Sequence, residues 1–199
     1  MTRIIVGISG ATGVIYGVRM LKALAACSVE THLVVTQSAI KNLLIETEYA
    51  PADLEALAHT VYDVEDIGAA IASGSYKTDG MVVIPCSIKT LSAVANSFNY
   101  NLLIRAADVT LKERRRLVLV VRETPLHEGH LELMTKVTRI GGVIMPPAPA
   151  FYHMPKTIDN LIDQTIGKVL DLFSIDGKLF KRWGAKSDVK FVREKGKKQ

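Results

Sequence analysis

Short apolar runs recur along the chain and alternate with segments in which apolar residues follow a helical spacing. Strand-like runs cover residues 3–9, 31–36, 80–87, 117–123 and 141–147, and helical patterns cover 14–26, 37–48, 51–59 and 157–173. Strands that alternate with helices indicate right-handed βαβ crossovers and a mostly parallel sheet covered on both faces. The pattern therefore predicts a single α/β domain, Rossmann-like (flavodoxin-like) and doubly wound.

The net charge of +5 lies almost entirely at one end of the chain. Residues 186–199 carry six basic and two acidic side chains, which leaves residues 1–185 close to neutral. A polar, charged end without periodicity is typical of a solvated tail, although a functional basic arm stays open as the alternative. We predict one domain over residues 1–185 with a disordered basic tail, and no nucleic-acid partner.

No segment is apolar for long enough to cross a membrane. The longest uninterrupted runs, 81–85 and 117–121, fall far short of the roughly 18 to 20 residues that a span needs. The opening "MTRIIVGISG" lacks a signal-peptide pattern, and Cys27 and Cys86 make no disulfide framework. We expect a cytoplasmic protein without a membrane span.

The exits of the predicted strands carry most of the candidate chemistry, because ligands of such sheets bind outside the carboxyl ends of the strands. The first exit, "GISGATG", differs from the dinucleotide pattern G-x-G-x-x-G, and the second strand ends in Thr36, Gln37 and Ser38 without an acid for ribose hydroxyls. Hydroxyls at both exits, with the free amides of a Gly-rich turn, favour a mononucleotide phosphate and a ribityl chain over NAD. A turn that needs its glycines only for packing is the alternative.

The exit "PCSIKTLS" places Ser87, Lys89 and Thr90 at a predicted helix start. Hydroxyls and an ammonium beside free amides suit an anion or a flavin ring. Cys86 is a candidate nucleophile, but no histidine lies nearby in sequence to activate it, so a small buried residue is the favoured interpretation.

Charged residues near two further segments suit a phosphate substrate. Arg105 and Lys112 are seven residues apart, so two helical turns place them on one face, where both can meet one anion; a solvated helix face is the alternative. At the next strand exit, Arg122 can clamp a phosphate bidentately and Glu123 can move protons.

Histidines occur at two places without a recognisable metal pattern. His127 and His130 are three residues apart, do not form H-E-x-x-H and lack an evident third ligand, so we predict a helix start and no metal. "MPPAPAFYHMPK" holds four of the seven prolines, which stiffen it past the end of a regular element. Phe151, Tyr152 and His153 project from this stiff loop.

Taken together, the segments "GISGATG", "PCSIKTLS", "RAADVTLKERR", "VVRETPLHEGHL", "MPPAPAFYH" and "RWG" resemble the flavin prenyltransferase (UbiX) family. The resemblance implies metal-independent transfer of a dimethylallyl group from dimethylallyl monophosphate to N5 of reduced FMN. Ring closure at C6 then gives prenylated FMN for UbiD-type decarboxylases, in ubiquinone synthesis or in aromatic-acid degradation. It also implies a homo-oligomer, a dodecamer in the family, with active sites at subunit contacts.

The same resemblance assigns the site residues. It implies catalytic roles for Glu46, Arg105, Lys112 and Glu123, and contacts with dimethylallyl phosphate for Tyr152 and Lys168. His153 is expected to hold the loop. Thr12, Thr36 and Lys168 stand where members often have serine, serine and arginine, and lysine loses the fork-shaped contact of a guanidinium. The implied FMN-binding residues are Gly10, Ala11, Thr12, Thr36, Ser87, Ile88, Lys89, Thr90 and Arg122.

Three other functions fit a flavin-binding fold. An FMN-dependent cysteine decarboxylase of the phosphopantothenoylcysteine type would oxidise its substrate through the flavin. A non-catalytic subunit would supply flavin to an aromatic-acid decarboxylase. A flavodoxin-like electron carrier fits least, because a carrier needs no substrate phosphate site.

Overall fold

Six strands form one parallel sheet within residues 1–184, the part of the chain that the computed structural model describes. The strands are β1 (Arg3–Ile8), β2 (Glu30–Val35), β3 (Thr60–Tyr62), β4 (Gly80–Cys86), β5 (Arg116–Val121) and β6 (Val143–Ile144). Their order is β3-β2-β1-β4-β5-β6, and every neighbouring pair is parallel. This is the doubly wound order, whose direction of winding reverses between β1 and β4, and it confirms the predicted fold class.

Seven α-helices accompany these strands within the same residues, and the last of them follows β6. They are α1 (Val14–Ala26), α2 (Gln37–Glu46), α3 (Pro51–Glu55), α4 (Ile88–Ala95), α5 (Leu102–Lys112), α6 (Glu128–Arg139) and α7 (Ile158–Leu172). Side-chain oxygens of Thr36, Ser87, Asn101 and Thr157 cap α2, α4, α5 and α7 by accepting hydrogen bonds from first-turn amides. Three of these capping residues stand where β2, β4 and a loop reach the carboxyl edge of the sheet.

The sheet separates two hydrophobic clusters. Alternate residues of β1 point to opposite faces, so that Ile4, Val6 and Ile8 join the cluster with α1 and α7 while Ile5 joins the cluster with α4 and α5. β4, at the centre, is buried along its whole length. A strand covered on both faces cannot alternate polar and apolar residues, which explains its continuous apolar sequence.

Several boundaries differ from the sequence-based prediction, and the strand predicted over residues 141–147 covers only Val143–Ile144. The helix predicted to run to residue 59 ends at Glu55, and β3 follows it as an edge strand of only three residues beside β2. Three residues are too few to show a strand period. α2 ends at Glu46 rather than at residue 48, because the backbone of Thr47 is extended.

None of the helices in residues 1–184 is both long and apolar enough to cross a bilayer. The predicted tail, residues 186–199, lies outside the described residues.

Candidate active site

A crevice of about 400 Å³ opens at the carboxyl edge of the sheet, beside the exits of β1 and β4. It lies where the direction of winding reverses, which is where such sheets bind their ligands. Residues predicted for the site that line the crevice are Gly10, Thr36, Ser87, Ile88, Lys89, Thr90 and Glu123. The structure thus brings together strand exits that are far apart in sequence.

The turn after β1 packs closely against the start of α2. A side chain at Gly10 would collide with the Cβ of Ser38, so only glycine fits at this position. Ala11 and Thr12 follow in the same turn, and the Ala11 amide donates to the Ser9 carbonyl at 2.8 Å. Gly13, at the N-cap of α1, has a φ of 91°, in the left-handed region that favours glycine.

The carboxylate of Glu46 caps α1. Its Oε2 accepts hydrogen bonds from the amides of Gly13 at 2.7 Å and Val14 at 3.2 Å. A negative charge here satisfies free amides and complements the helix dipole. The N-terminus of α1 is therefore already occupied by an anion of the chain itself, whereas the amides of Gly10 and Thr12 have no hydrogen-bond acceptor among residues 1–184.

The loop after β4 forms the facing wall. Ser87 caps α4: its Oγ accepts from the Thr90 amide at 3.3 Å and donates to the Thr90 Oγ1 at 3.1 Å. The Lys89 ammonium lies 4.9 Å from the centre of the Tyr100 ring, within the range of a cation–π contact. This wall therefore offers hydroxyls, a cation and the N-terminus of a helix.

The exit of β5 is tied to the exit of β4, since the Arg122 amide donates to the Cys86 carbonyl at 3.0 Å. Glu123 is exposed and lines the crevice, and its Oε1 accepts from the Thr124 amide at 3.0 Å. Cys86 itself is fully buried, and this burial raises the pKa of its thiol far above neutrality. A thiol that stays protonated is a poor nucleophile, so the buried structural interpretation of Cys86 is the one that the geometry supports.

Arg105 and Lys112 lie on α5, outside the crevice. The Arg105 Nε donates to the Ala72 carbonyl at 3.1 Å, and its guanidinium pairs with Asp108 at 3.3 Å. Lys112 pairs with Glu113, and this contact lowers the pKa of the Glu113 carboxyl. Neither cation lines the crevice of its own chain.

Tyr152 and Lys168 are linked through the end of α7. The edge of the Tyr152 ring packs against Trp183, with centroids 5.6 Å apart. The neighbouring Arg182 holds Asp171 bidentately at 2.7 and 2.8 Å, which lowers the pKa of the Asp171 carboxyl, and the Lys168 Nζ lies 3.7 Å from the same carboxylate. A stretch late in the sequence therefore connects the two predicted substrate contacts.

The histidines take structural positions. His127 precedes α6 and His130 lies in its first turn, with ring centres 3.6 Å apart. In the part of the chain that the structure describes, no cluster of three or more His, Cys, Asp or Glu side chains is placed to hold a metal. Within that part His153 makes no side-chain hydrogen bond to its loop, and its ring packs against Tyr152 instead, with centroids 5.5 Å apart.

Comparisons with known proteins agree with this geometry. A family model described as Flavoprotein matches residues 1–174. The flavin prenyltransferase UbiX of Thauera aromatica is 58% identical over 193 residues, which cover 97% of this chain and 100% of that protein. The chain belongs to the flavin prenyltransferase (UbiX) family.

Two solved structures of this family superpose closely on the chain. AnUbiX (PadA1), in complex with FMN and dimethylallyl pyrophosphate, has a TM-score of 0.92 and 50% identity, covering 94% of this chain and 99% of its own. A dodecameric FMN-dependent UbiX-like decarboxylase from Escherichia coli O157:H7 has a TM-score of 0.90 and 45% identity, covering 92% and 99%. The UbiX fold thus extends over nearly all of the chain.

Sequence reasoning missed part of the crevice. The exit of β3 was missed because β3 itself is too short to predict. Asn101 carried a usable signal, since an asparagine before a helical pattern is a common cap, and its Oδ1 accepts from the Ile104 amide at 3.0 Å. The lining residues without a predicted role are Gln37, Ser38, Val64, Glu65, Tyr100 and Asn101.

Proposed function

We propose that the chain is a flavin prenyltransferase that transfers a dimethylallyl group from dimethylallyl monophosphate to N5, and then C6, of reduced FMN. The product, prenylated FMN, serves a UbiD-type decarboxylase. The observation that carries this proposal is the crevice between the exits of β1 and β4, lined by the "GISGATG" and "PCSIKTLS" segments in a chain 58% identical to a UbiX. The cysteine-decarboxylase alternative loses support, because the closely similar relatives are flavin prenyltransferases.

FMN would lie across the crevice. The amides of Gly10 and Thr12, with the hydroxyls of Thr12 and Thr36, suit its phosphate, and Ala11 lies between them in the turn. The loop after β4, residues 87–90, together with Arg122 suits the flavin ring. The two ends of one ligand would thus contact two different strand exits.

Cleavage of the allylic C–O bond places negative charge on the departing phosphate and cationic character on the allyl group. The negative charge on the phosphate is stabilised by fixed cations, here Arg105, Lys112 and Lys168. The cationic allyl group is favoured by aromatic faces such as that of Tyr152 and by the exclusion of water. Glu123, which lines the crevice, would receive the C6 proton or orient the phosphate that does so.

Neighbouring copies would complete the site. Arg105, Lys112 and Tyr152 do not line the crevice of their own chain, so we propose a homo-oligomer, a dodecamer as in the E. coli structure, in which a neighbour supplies them. Large exposed apolar side chains support such contacts, because monomers rarely expose many of them together. They include Ile45, Phe98, Phe151, Met154 and Trp183, between 66% and 82% exposed.

We further propose that the catalytic domain spans residues 1–185, that residues 186–199 form a basic tail, and that the protein works in the cytoplasm. Two cysteines without a disulfide fit a reducing compartment. Fractionation of cells that express the full chain would test the location.

The decisive experiment is the reaction itself under strictly anaerobic conditions. Full-length protein, reduced FMN and dimethylallyl monophosphate should yield a flavin heavier by one dimethylallyl group, detected by mass spectrometry. The Glu123→Gln variant serves as the matched control, with unmodified FMN as its expected product. Recovery of unmodified FMN alone with the unaltered chain would overturn the proposal.

Co-expression separates the enzyme from a non-catalytic flavin subunit. A UbiD-type decarboxylase produced beside the unaltered chain should gain activity. The same decarboxylase should stay inactive beside Glu123→Gln, whereas full rescue by that variant would favour the supplying subunit.

A further inference from the structure

Hydrogen bonding between the two central strands is interrupted next to the crevice. Residues of β1 and β4 pair in register as far as Gly7 and Val83. Beyond them Pro85 has no N–H to donate, so it cannot complete the regular pattern of backbone hydrogen bonds. The regular backbone ladder is therefore incomplete where it approaches the loops that line the crevice.

The side chain of Ser9 bridges this interruption. Its Oγ donates to the Pro85 carbonyl at 3.0 Å and accepts from the Ser87 amide at 2.9 Å. The Ser9 amide also donates to the Pro85 carbonyl, at 3.2 Å. The Ser9 hydroxyl and amide thus continue the hydrogen bonding between the two strands, and the hydroxyl by itself supplies both a donor and an acceptor.

Ser9 stands directly between the two walls of the crevice. Gly10, which follows it in the chain, lines one wall, and Ser87, which it holds by the amide, lines the other and caps α4. Ser9 itself is fully buried and does not line the crevice. It is placed to set the distance between the walls without contact with a ligand.

We propose that Ser9 is a positioning residue that fixes the turn at 10–12 relative to the loop at 87–90, so that one FMN molecule reaches both. This inference rests on the proposed function, in which the phosphate contacts the turn and the flavin ring contacts the loop. A ligand that spans both walls binds more tightly when their separation is fixed, because the protein then loses less conformational freedom on binding. The affinity of a ligand that contacts only one wall does not depend on that separation.

The test compares FMN with riboflavin, which has the ring but no phosphate. In Ser9→Ala of the full-length assembled protein, the dissociation constant of FMN, measured by quenching of flavin fluorescence, should rise about tenfold, as expected for the loss of such a bridge. The dissociation constant of riboflavin should change less than twofold. A general loss of stability would weaken both ligands alike.

Thr110→Val is the matched control, since the Thr110 Oγ1 is also buried and donates to a backbone carbonyl, that of Ala106, at 2.7 Å. It should change stability without changing the ratio of the two dissociation constants. Ser9→Cys fills the buried position with a somewhat larger side chain that is only a weak donor, and it should alter the ratio in the same direction even if Ser9→Ala does not fold.

An unchanged ratio in Ser9→Ala or Ser9→Cys, with the unaltered chain binding FMN and transferring the prenyl group, would overturn the role of Ser9 alone. Failure of the unaltered chain to bind FMN would overturn the proposed function, and this inference with it.

Discussion

Glu46, the last residue of α2, lies with its carboxylate 2.7 Å from the amide nitrogen of Gly13, the N-cap residue of α1. Two helices that follow different strands are thereby joined by an ionic cap. This contact explains how a glycine, which has no side chain, can occupy the N-cap of α1: the oxygen that accepts from the free amides comes from a residue 33 positions away.

Glu46→Ala should lower the free energy of unfolding by about 1 kcal/mol, as the loss of a helix cap usually does. Glu46→Gln keeps a hydrogen-bond acceptor, so its free energy of unfolding should fall by less than that of Glu46→Ala. If the charge also takes part in prenyl transfer, both variants should slow that reaction about 100-fold. Urea unfolding and the rate of prenylated-flavin formation measure the two effects separately, and a full rate in Glu46→Gln would restrict Glu46 to capping.

A site shared between subunits can be tested by complementation. Arg105→Ala and Glu123→Gln should each be inactive in prenyl transfer, and their co-expression should restore roughly a quarter of the activity, as random mixing places both intact residues at that share of sites. Co-expression of Arg105→Ala with Lys112→Ala, both on α5, is the control. No recovery in the first pair would place Arg105 and Glu123 in the site of one subunit.

Tyr152→Phe should raise the KM for dimethylallyl monophosphate about tenfold while the dissociation constant of FMN stays unchanged, because only a hydroxyl contact with the phosphate is lost. Steady-state kinetics and flavin titration measure these two constants. Tyr49→Phe is a matched control, since its hydroxyl accepts a hydrogen bond from the Lys22 Nζ at 2.6 Å and has no predicted role in the site. An equal loss in FMN binding would make the Tyr152 loop structural.

The two cysteines should differ in reactivity. Burial raises the pKa of the Cys86 thiol, whereas Cys27 is only partly buried. Iodoacetamide should therefore label Cys27 in the folded protein at neutral pH, and both cysteines in urea, as read by peptide mass spectrometry. Rapid labelling of Cys86 in the folded protein would reopen its role as a nucleophile.

The pair of Arg3 and Glu30 predicts a loss of stability in acid. Arg3 donates to Glu30 at 2.7 and 2.9 Å and, with His32, lowers the pKa of the Glu30 carboxyl to about 2 from its ordinary 4.5. Because this pKa is depressed, the contribution of the Glu30 carboxylate to the free energy of unfolding is complete above pH 4.5 and disappears as the pH falls through about 2. Glu30→Gln should thus destabilise the protein at pH 7 and hardly at all near pH 2.

Urea unfolding at pH 7, 4 and 2.5 checks this dependence. Glu132→Gln, at an exposed position, is the control. A pH-independent difference between Glu30→Gln and the unaltered chain would show that the stabilisation at Glu30 does not depend on its charge.

The sequence alone determined the fold class and most of the crevice. Strand and helix periods are local, and the rule that ligands bind at strand exits turns a list of strands into a list of candidate residues. Gly10, Thr36 and Ser87 follow from this reasoning, since each stands directly after a recognisable strand or one residue beyond it.

Only the tertiary structure decided which distant groups meet. The acceptor that caps α1, the Ser9 bridge from β1 to β4, and the path from Tyr152 through Trp183 and Arg182 to the end of α7 each join segments with no shared pattern. The tertiary structure also decided that Arg105 and Lys112 lie away from the crevice of their own chain. These contacts depend on how the crossovers and the winding of the sheet place the segments in space, and a local period carries no information about that placement.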